Sequence, residues 1–326
     1  RSGNFAIQNA DLILCLGCRL AKSITGYNRD LFAREAKIIQ VDIDKSEFME
    51  EKKVNVKIHM ELDTFFGFDL PMCDTDPKWI EKNKEWKNKW SIELPDKSGP
   101  LICPYRHLNK FFDVKGENSV VTASSGSIYC VIWHMYRCKH GDRFITSSHG
   151  DMGYEMPVAM GACKHGRRAY AILGDGSFQF NIQELQTIKH YNLPVKIFIL
   201  NNRCYGIIKQ FQDAYFDSRY IATEGKDYSS PDFSEVAKAY DIPSVRVDIN
   251  SNLEEEIQKV LSHDGPVLCE VMIDVNQKLT PKLEFGNPLE DMSPYMTDTE
   301  LEENMIVDMV ERRDNSKGWV TLKIDK

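Results

Sequence analysis

Two runs decide how this chain reads: Ala169-Tyr170-Ala171-Ile172-Leu173-Gly174-Asp175-Gly176-Ser177, and Val195-Lys196-Ile197-Phe198-Ile199-Leu200-Asn201-Asn202. Each is an apolar run of strand length that closes on small polar residues. The residues between Gly176 and Asn201 suffice for one helix, expected from near Asn181, and one strand. Asp175 and Asn202 therefore stand at the carboxyl ends of two strands joined by one βαβ crossover. Open parallel sheets bind their ligands at such ends.

A carboxylate and an amide oxygen brought together there make a site of hard oxygens. Mg²⁺ demands near-octahedral oxygen ligands, and prefers one or two carboxylates plus substrate phosphates to an all-protein cage. One Asp, one Asn, a backbone carbonyl and two phosphate oxygens would fill it. Gly174 and Gly176 let backbone N–H groups approach a phosphate, and the helix start that follows adds a favourable dipole. A Gly-Asp-Gly turn alone is a weak signal. Paired with Asn-Asn at this spacing, each ending a buried strand, it is a strong one. No G-x-G-x-x-G opens a helix, which disfavours a dinucleotide site of Rossmann type.

Outward from this centre, Tyr105 to about Asp274 continues the alternation. Strands read at Ser119–Ala123, Arg143–Thr146, Ala169–Leu173, Val195–Leu200, Ser244–Asp248 and Pro266–Ile273, with helices between them. That predicts an α/β fold, a doubly wound parallel sheet covered on both faces, over residues 105–280. Residues 1–70 read as half of a Rossmann-like domain. Asp11–Leu16 is a buried strand, Asp30–Ala36 a helix, and Lys37–Ile43 and Val54–Ile58 two further strands. Residues 71–104 read as a linker in which Pro71, Pro77, Pro95, Pro100 and Pro104 bracket a charged helix, Lys78–Trp90. Its Trp79, Trp86 and Trp90 share one face, a pattern that pins a helix to a domain surface. In the tail, 281–326, Thr297-Asp298-Thr299-Glu300 is a capping box for a helix through about Met309, with Leu301, Met305 and Met309 as its apolar stripe.

The length of 326 residues fits about two domains. Apolar residues at 42% and charged residues at 28% allow a substantial core. A net charge of −8 without a Lys/Arg run argues against a nucleic-acid partner. No apolar stretch reaches the ~18 residues of a membrane span. Most of the nine cysteines lie in apolar segments, and Cys15-x-x-Cys18 lacks a second pair to complete a zinc site. A reducing cytoplasm suits that usage. The opening Arg1-Ser2-Gly3-Asn4 is neither an initiator methionine nor a signal peptide, and reads as a chain that begins partway through a longer one.

The segment Gly174–Gln212, GDGSFQFNIQELQTIKHYNLPVKIFILNNRCYGIIKQFQ, closely resembles the diphosphate-binding region of thiamine-diphosphate enzymes of the acetolactate synthase group. So does Gly150-Asp151-Met152-Gly153-Tyr154-Glu155-Met156-Pro157-Val158-Ala159-Met160-Gly161. The LCLGCRL and IIQVDID runs of the first seventy residues resemble the second half of that family's central domain. The resemblance implies roles. Asp175 and Asn202 match the side-chain magnesium ligands, and Cys204 a position that gives its backbone carbonyl. Gly174, Gly176 and Ser177 match diphosphate contacts, with Ser125, Gly126 and Ser127 a second phosphate contact. Met152 matches the apolar wedge that bends the cofactor, and Gly150 the carbonyl that receives the pyrimidine amino group. Phe211 falls where many members carry a tryptophan shaping the second-substrate pocket. A bent cofactor makes the deprotonation of its thiazolium carbon intramolecular.

Three departures qualify that resemblance. The family's activating glutamate belongs to an amino-terminal domain with no counterpart in these residues, and Glu184 is a structural carboxylate. The 326 residues alone are therefore expected to be inactive, since losing a general acid costs ~10²–10⁴-fold. Ala21-Lys22-Ser23 stand where FAD-binding members carry an acidic pair and an arginine, which puts FAD in doubt. Glu155 replaces a small glycine. Glu155-Met156-Pro157 and the tail Pro288–Pro294 look more like the acetolactate-synthase-like proteins of surface-polysaccharide pathways.

The leading reading is a thiamine-diphosphate- and Mg²⁺-dependent carboligase. It would decarboxylate pyruvate or a similar 2-oxo acid and pass the two-carbon unit to a second carbonyl, a 2-oxo acid or a keto-sugar nucleotide. A simple 2-oxo acid decarboxylase and a non-catalytic cofactor-binding scaffold or regulatory subunit are the alternatives. The family places its site between subunits, so the resemblance implies a homodimer or tetramer.

Overall fold

Two runs of alternating strands and helices fold as two units in the computed structural model, Arg1–Glu93 with Thr280–Lys326, and Leu94–Leu279. The structure describes residues 1–48, 54–70, 74–91, 101–248 and 251–310. Pro71, Cys73, Pro95, Pro100 and the tail beyond 310 lie outside the described residues.

In the first unit, β1 (Leu12–Leu16), β2 (Lys37–Asp42) and β3 (Val56–His59) form a parallel sheet with β2 in the middle. Helices α1 (Ser2–Gln8), α2 (Lys22–Thr25), α3 (Leu62–Phe66) and α4 (Pro77–Lys89) accompany it. The reading of residues 11–16 as a buried strand needs correction. Cys15 is buried and Ile13 packs on the same core, but Leu12 and Leu14 lie on the other face of β1 and are exposed, so among the described residues only one face of the strand is covered. The helix expected over Asp30–Ala36 is also absent. A 3₁₀ turn covers Arg29–Leu31, capped by Asn28, whose Oδ1 accepts from the Asp30 amide at 3.1 Å. Ala33, at φ +44°, ends any helical path there, and its amide donates to Gln8 Oε1 at 2.7 Å. Helix α1, which supplies Gln8, was not anticipated.

The tryptophan helix α4 starts as its sequence indicates, with Pro77 in the first turn and Asp76 accepting from the Lys78 amide at 2.9 Å. Trp86 is fully buried, while Trp79 and Trp90 pack half-buried on the same cluster. Phe5 stacks on Trp90 at 4.4 Å.

In the second unit the described residues form a six-stranded, all-parallel sheet. Its strands are β4 (Ser119–Thr122), β5 (Arg143–Ile145), β6 (Arg168–Gly174), β7 (Lys196–Asn201), β8 (Ser244–Val247) and β9 (Val267–Met272), in spatial order β5-β4-β6-β7-β9-β8. The helices are α5 (Pro104–Val114), α6 (Gly126–Met135), α7 (Glu155–Lys164), α8 (Asp175–Gln179), α9 (Glu184–His190), α10 (Gly206–Tyr215), α11 (Phe233–Ala239) and α12 (Leu253–Ser262).

Successive strand residues face opposite ways, and the two cores follow that alternation. Tyr170, Ile172, Phe198 and Leu200 pack against Phe111 of α5, Ile132 of α6 and Ile257 of α12. Ala171, Leu173, Ile197 and Ile199 pack against Met156 of α7, Leu185 of α9 and Phe233 of α11. Every residue of β7 is buried, as a strand covered on both faces requires. The helix expected near Asn181 begins earlier, on Asp175 itself, and the chain re-forms as α9 at Glu184.

The remaining elements belong to the first unit: β10 (Lys282–Leu283) antiparallel to β11 (Met292–Ser293), then α13 (Asp298–Asn304). Thr297 caps α13 by accepting from the Glu300 amide at 3.1 Å. The helix ends at Asn304 rather than reaching Met309. Asn304 accepts from Trp86 Nε1 at 2.9 Å, and Asn9 Oδ1 takes the Ile306 amide at 2.6 Å, diverting the chain. Met309 is consequently exposed. Among the described residues no helix is long and apolar enough to cross a membrane.

At the amino ends of β4 and β5, Lys115 and Asp142 form a fully buried ion pair. Asp142 also accepts from the Ser119 amide at 3.0 Å, the Ser119 hydroxyl at 2.9 Å and the Lys139 amide at 2.8 Å. Burial alone would raise the Asp142 pKa, but Lys115 and these donors hold it below the usual carboxylate range. Its contribution is therefore present above the ordinary aspartate pKa and is lost as pH falls further. Asp142→Ala should cost about 3–5 kcal/mol by urea denaturation, because Lys115 is left buried without a counter-charge. Lys115→Met in the same chain should recover much of that loss.

Candidate functional site

The order of the sheet creates a crevice. After β4 the chain turns through α6 to the edge strand β5, whereas after β6 it turns the opposite way to β7. The carboxyl ends of β4 and β6 therefore flank a topological switch point, where doubly wound sheets bind ligands. Ser124–Ser127, Ser147–Gly153, Gly174–Ser177 and Asn201–Gly206 all leave strands at this end.

Asp175 is 2% exposed. Its Oδ2 accepts from the Tyr228 hydroxyl at 2.9 Å. Burial pushes its pKa up to about 6, against the opposing pull of Tyr228 and the amides of Gly176 and Cys204. That Cys204 amide also donates to Asn202 Oδ1 at 3.2 Å. Asp175 and Asn202 thus stand at the neighbouring carboxyl ends of β6 and β7, with the Cys204 amide close to both. The turn between them is tight, with Arg203 at φ +52° and its amide bonded to Asn201 Oδ1 at 2.9 Å. Asn201 Nδ2 is anchored in turn on the buried Glu270 at 2.7 Å. Burial, helped by Glu224, pushes the Cys204 thiol up to about 11, so the sulfur stays protonated at neutral pH. No group of three or more His, Cys, Asp or Glu side chains among the described residues could hold a metal. A cation here would depend on amide and backbone oxygens beside Asp175.

Gly176 and Met152, far apart in sequence, are brought together. A Cβ on Gly176 would lie 2.5 Å from the Tyr205 ring and 3.2 Å from the Met152 methyl, so only glycine fits. Gly150 takes φ +74°, and the Ser147 hydroxyl oxygen faces the amides of His149, Gly150 and Asp151 at 3.3, 3.0 and 3.0 Å. On the β4 side, Gly126 (φ +76°) opens α6, and Ser127 Oγ lies 3.1 Å from the place of a Cβ on Gly206.

Glu155, noticed in sequence only as a departure, is the hub beneath these loops. It is fully buried. Its Oε1 accepts from the Ser124 and Ser125 amides at 3.2 and 3.3 Å, and its Oε2 from the Ser177 hydroxyl at 2.7 Å. Ser177 Oγ accepts in turn from the Gly153 amide at 2.7 Å. Burial raises the Glu155 pKa while these donors lower it. A lone carboxylate amid Met156, Val158, Ala159 and Met160 was the available signal for such a role.

A cleft of about 520 Å³ opens beside Gly176, lined by Gln179, Phe180, Tyr205, Asp227, Tyr228 and Ser229. Phe211 is not among its lining residues. It sits half-buried on α10, packed on Tyr215 with ring centroids 4.6 Å apart. Glu184 begins α9, beyond the turn that follows α8. Tyr205 and Tyr228 were missed because their loops have no periodicity to read.

The class follows from comparison. "Thiamine pyrophosphate enzyme, C-terminal TPP binding domain" matches residues 124–271, and "Thiamine pyrophosphate enzyme, central domain" matches residues 1–66. The chain belongs to the thiamine pyrophosphate enzyme family. More particularly, it is similar to the acetolactate synthase isozyme 2 large subunit of Escherichia coli (strain K12), 31% identical over 292 residues, covering 88% of this chain and 52% of that protein. It is also similar to the acetolactate synthase large subunits of Cyanidium caldarium, at 29% over 294 residues (87% and 50%), and Pyropia yezoensis, at 31% over 299 residues (87% and 49%). The chain spans about half the length of the curated relatives it matches.

Glu155→Ala strips three donors of their acceptor and should destabilise the protein by about 2–3 kcal/mol. Hydrogen exchange should accelerate at the Ser124 and Ser125 amides. Glu155→Gln, which keeps an acceptor oxygen, should lose less on both measurements.

Proposed function

We propose that this chain serves a thiamine-diphosphate- and Mg²⁺-dependent carboligase of acetolactate synthase type. The observation that carries this reading is the placing of Asp175 and Asn202 at the adjacent carboxyl ends of β6 and β7, beside a glycine cradle at the switch point. That donor set suits a hard divalent cation: one carboxylate and one amide oxygen from side chains, with room for phosphate oxygens. The family resemblance gives the Cys204 backbone carbonyl as the third protein ligand, its thiol being incidental because sulfur is a poor Mg²⁺ ligand.

In this reading Asp175, Asn202 and the Cys204 carbonyl hold Mg²⁺. Gly174, Gly176 and the Ser177 backbone face the diphosphate on one side, and Ser125, Gly126 and Ser127 on the other. Met152, whose methyl already reaches over Gly176, is the apolar wedge, and the Gly150 carbonyl receives the aminopyrimidine. Bound thiamine diphosphate supplies the nucleophilic carbanion and the electron sink, chemistry no side chain here provides. The protein's own work is orientation and exclusion of water. The substrate would be pyruvate or a similar 2-oxo acid, the acceptor a second 2-oxo acid or a keto-sugar nucleotide, with Phe211 on the acceptor side. A cytoplasmic homodimer or tetramer is the assembly proposed, and Ala21-Lys22-Ser23, which lack the acidic pair and arginine of FAD-binding members, disfavour FAD. The 326 residues alone should not turn over pyruvate, because none of them supplies the activating glutamate.

Titration calorimetry should detect thiamine diphosphate uptake that requires Mg²⁺, and Asp175→Ala should abolish it. Uptake independent of Mg²⁺, or undisturbed in Asp175→Ala, would refute the metal assignment. With a chain extended to the length of its relatives, mass spectrometry should find a carboligation product from pyruvate. Acetaldehyde as the sole product would indicate a decarboxylase.

A further inference from the structure

Tyr228 reaches the Asp175 carboxylate from a loop fifty-three residues away in sequence. Its hydroxyl is 2.9 Å from Asp175 Oδ2 and receives a hydrogen bond from Gln179 Nε2 at 3.2 Å. With Gln179 donating to the phenol oxygen, the phenol's own proton is directed to Asp175. The ring is held as well, tilted against Tyr205 with centroids 4.4 Å apart, and Tyr205 occupies the space over Gly176. Two neighbours thus fix the hydroxyl that touches the carboxylate.

We infer that Tyr228 is a positioning residue for the metal site: it occupies Asp175 Oδ2 and leaves Oδ1 to bind the cation through a single oxygen. The inference rests on Asp175 being a Mg²⁺ ligand, as proposed above. Single-oxygen carboxylate binding matters for Mg²⁺, whose short octahedral bonds tolerate little distortion, whereas two-oxygen binding suits larger cations. Partners that orient a ligand in this way typically change metal affinity by about 10–100-fold when removed. Tyr228 was invisible in the sequence because nothing about Asp227-Tyr228-Ser229 shows that the loop folds back onto the tip of β6.

The test is the Mg²⁺ midpoint for thiamine diphosphate uptake, read by calorimetry on the wild-type protein and on Tyr228→Phe, which keeps the ring and loses the donor. The midpoint should rise about 10–100-fold, while affinity for thiamine diphosphate at saturating Mg²⁺ stays unchanged. Gln179→Leu, which removes only the group that orients the phenol, should shift the midpoint the same way by less. It also keeps the question answerable if Tyr228→Phe folds poorly. An unchanged midpoint in both variants would overturn the inference. So would weaker cofactor binding at saturating Mg²⁺ with the midpoint unmoved, because Tyr228 would then be a wall of the cleft. Failure of the wild-type protein to take up either Mg²⁺ or cofactor would instead bring down the metal assignment itself, and this inference with it.

Discussion

A carboxylate withdrawn almost wholly from water governs this structure. Asp175 loses most of its hydration at the tip of β6, and burial raises its pKa to about 6. A buried charge is tolerated only when hydrogen-bonded or paired. Here the Tyr228 hydroxyl and the amides of Gly176 and Cys204 offset the loss of water. Those donors come from three separate segments, so supporting one carboxylate requires the β6, β7 and Tyr228 loops to be placed together. The parallel register, with Gly174 opposite Leu200, sets the tips of β6 and β7 level so that this is possible.

The same logic operates one layer deeper at Glu155. A buried acidic side chain in the first turn of α7 gathers the amides following β4 and the Ser177 hydroxyl following β6. Family resemblance marks this position as a departure from a small glycine. The carboxylate is fully integrated, with donors on both oxygens. It leaves the Ser177 hydroxyl committed to Glu155 and Gly153, so in the proposed site a diphosphate contact of this residue would fall to its backbone.

Local sequence signals account for more of the second unit than of the first. The four inner strands, β4, β6, β7 and β9, fall where largely apolar runs end on polar tips, because a strand covered on both faces must be mostly apolar. The edge strand β1 misled for the opposite reason. Leu12 and Leu14 look like core residues, yet among the described residues only the face bearing Ile13 and Cys15 is covered, and composition does not record which face that is. The helix read over Asp30–Ala36 failed because a side-chain acceptor, Gln8, holds the Ala33 amide in a non-helical path. The apolar spacing that extends to Met309 is cut short five residues earlier, where Asn304 is captured by Trp86.

By itself the amino-acid sequence determined the parallel α/β architecture, the family, and the placing of Asp175 and Asn202 at adjacent strand ends. Each rests on local signals: periodicity, small residues at strand ends, and motifs at short spacing. Tertiary structure decided what surrounds that pair. The contact of Met152 with Gly176, the gathering of loops on Glu155 and the phenol of Tyr228 against Asp175 join residues 22 to 53 positions apart. No periodicity links such residues. They meet because the sheet brings the carboxyl ends of β4, β5, β6 and β7 to one edge, where buried polar groups must find partners among whatever the neighbouring loops supply.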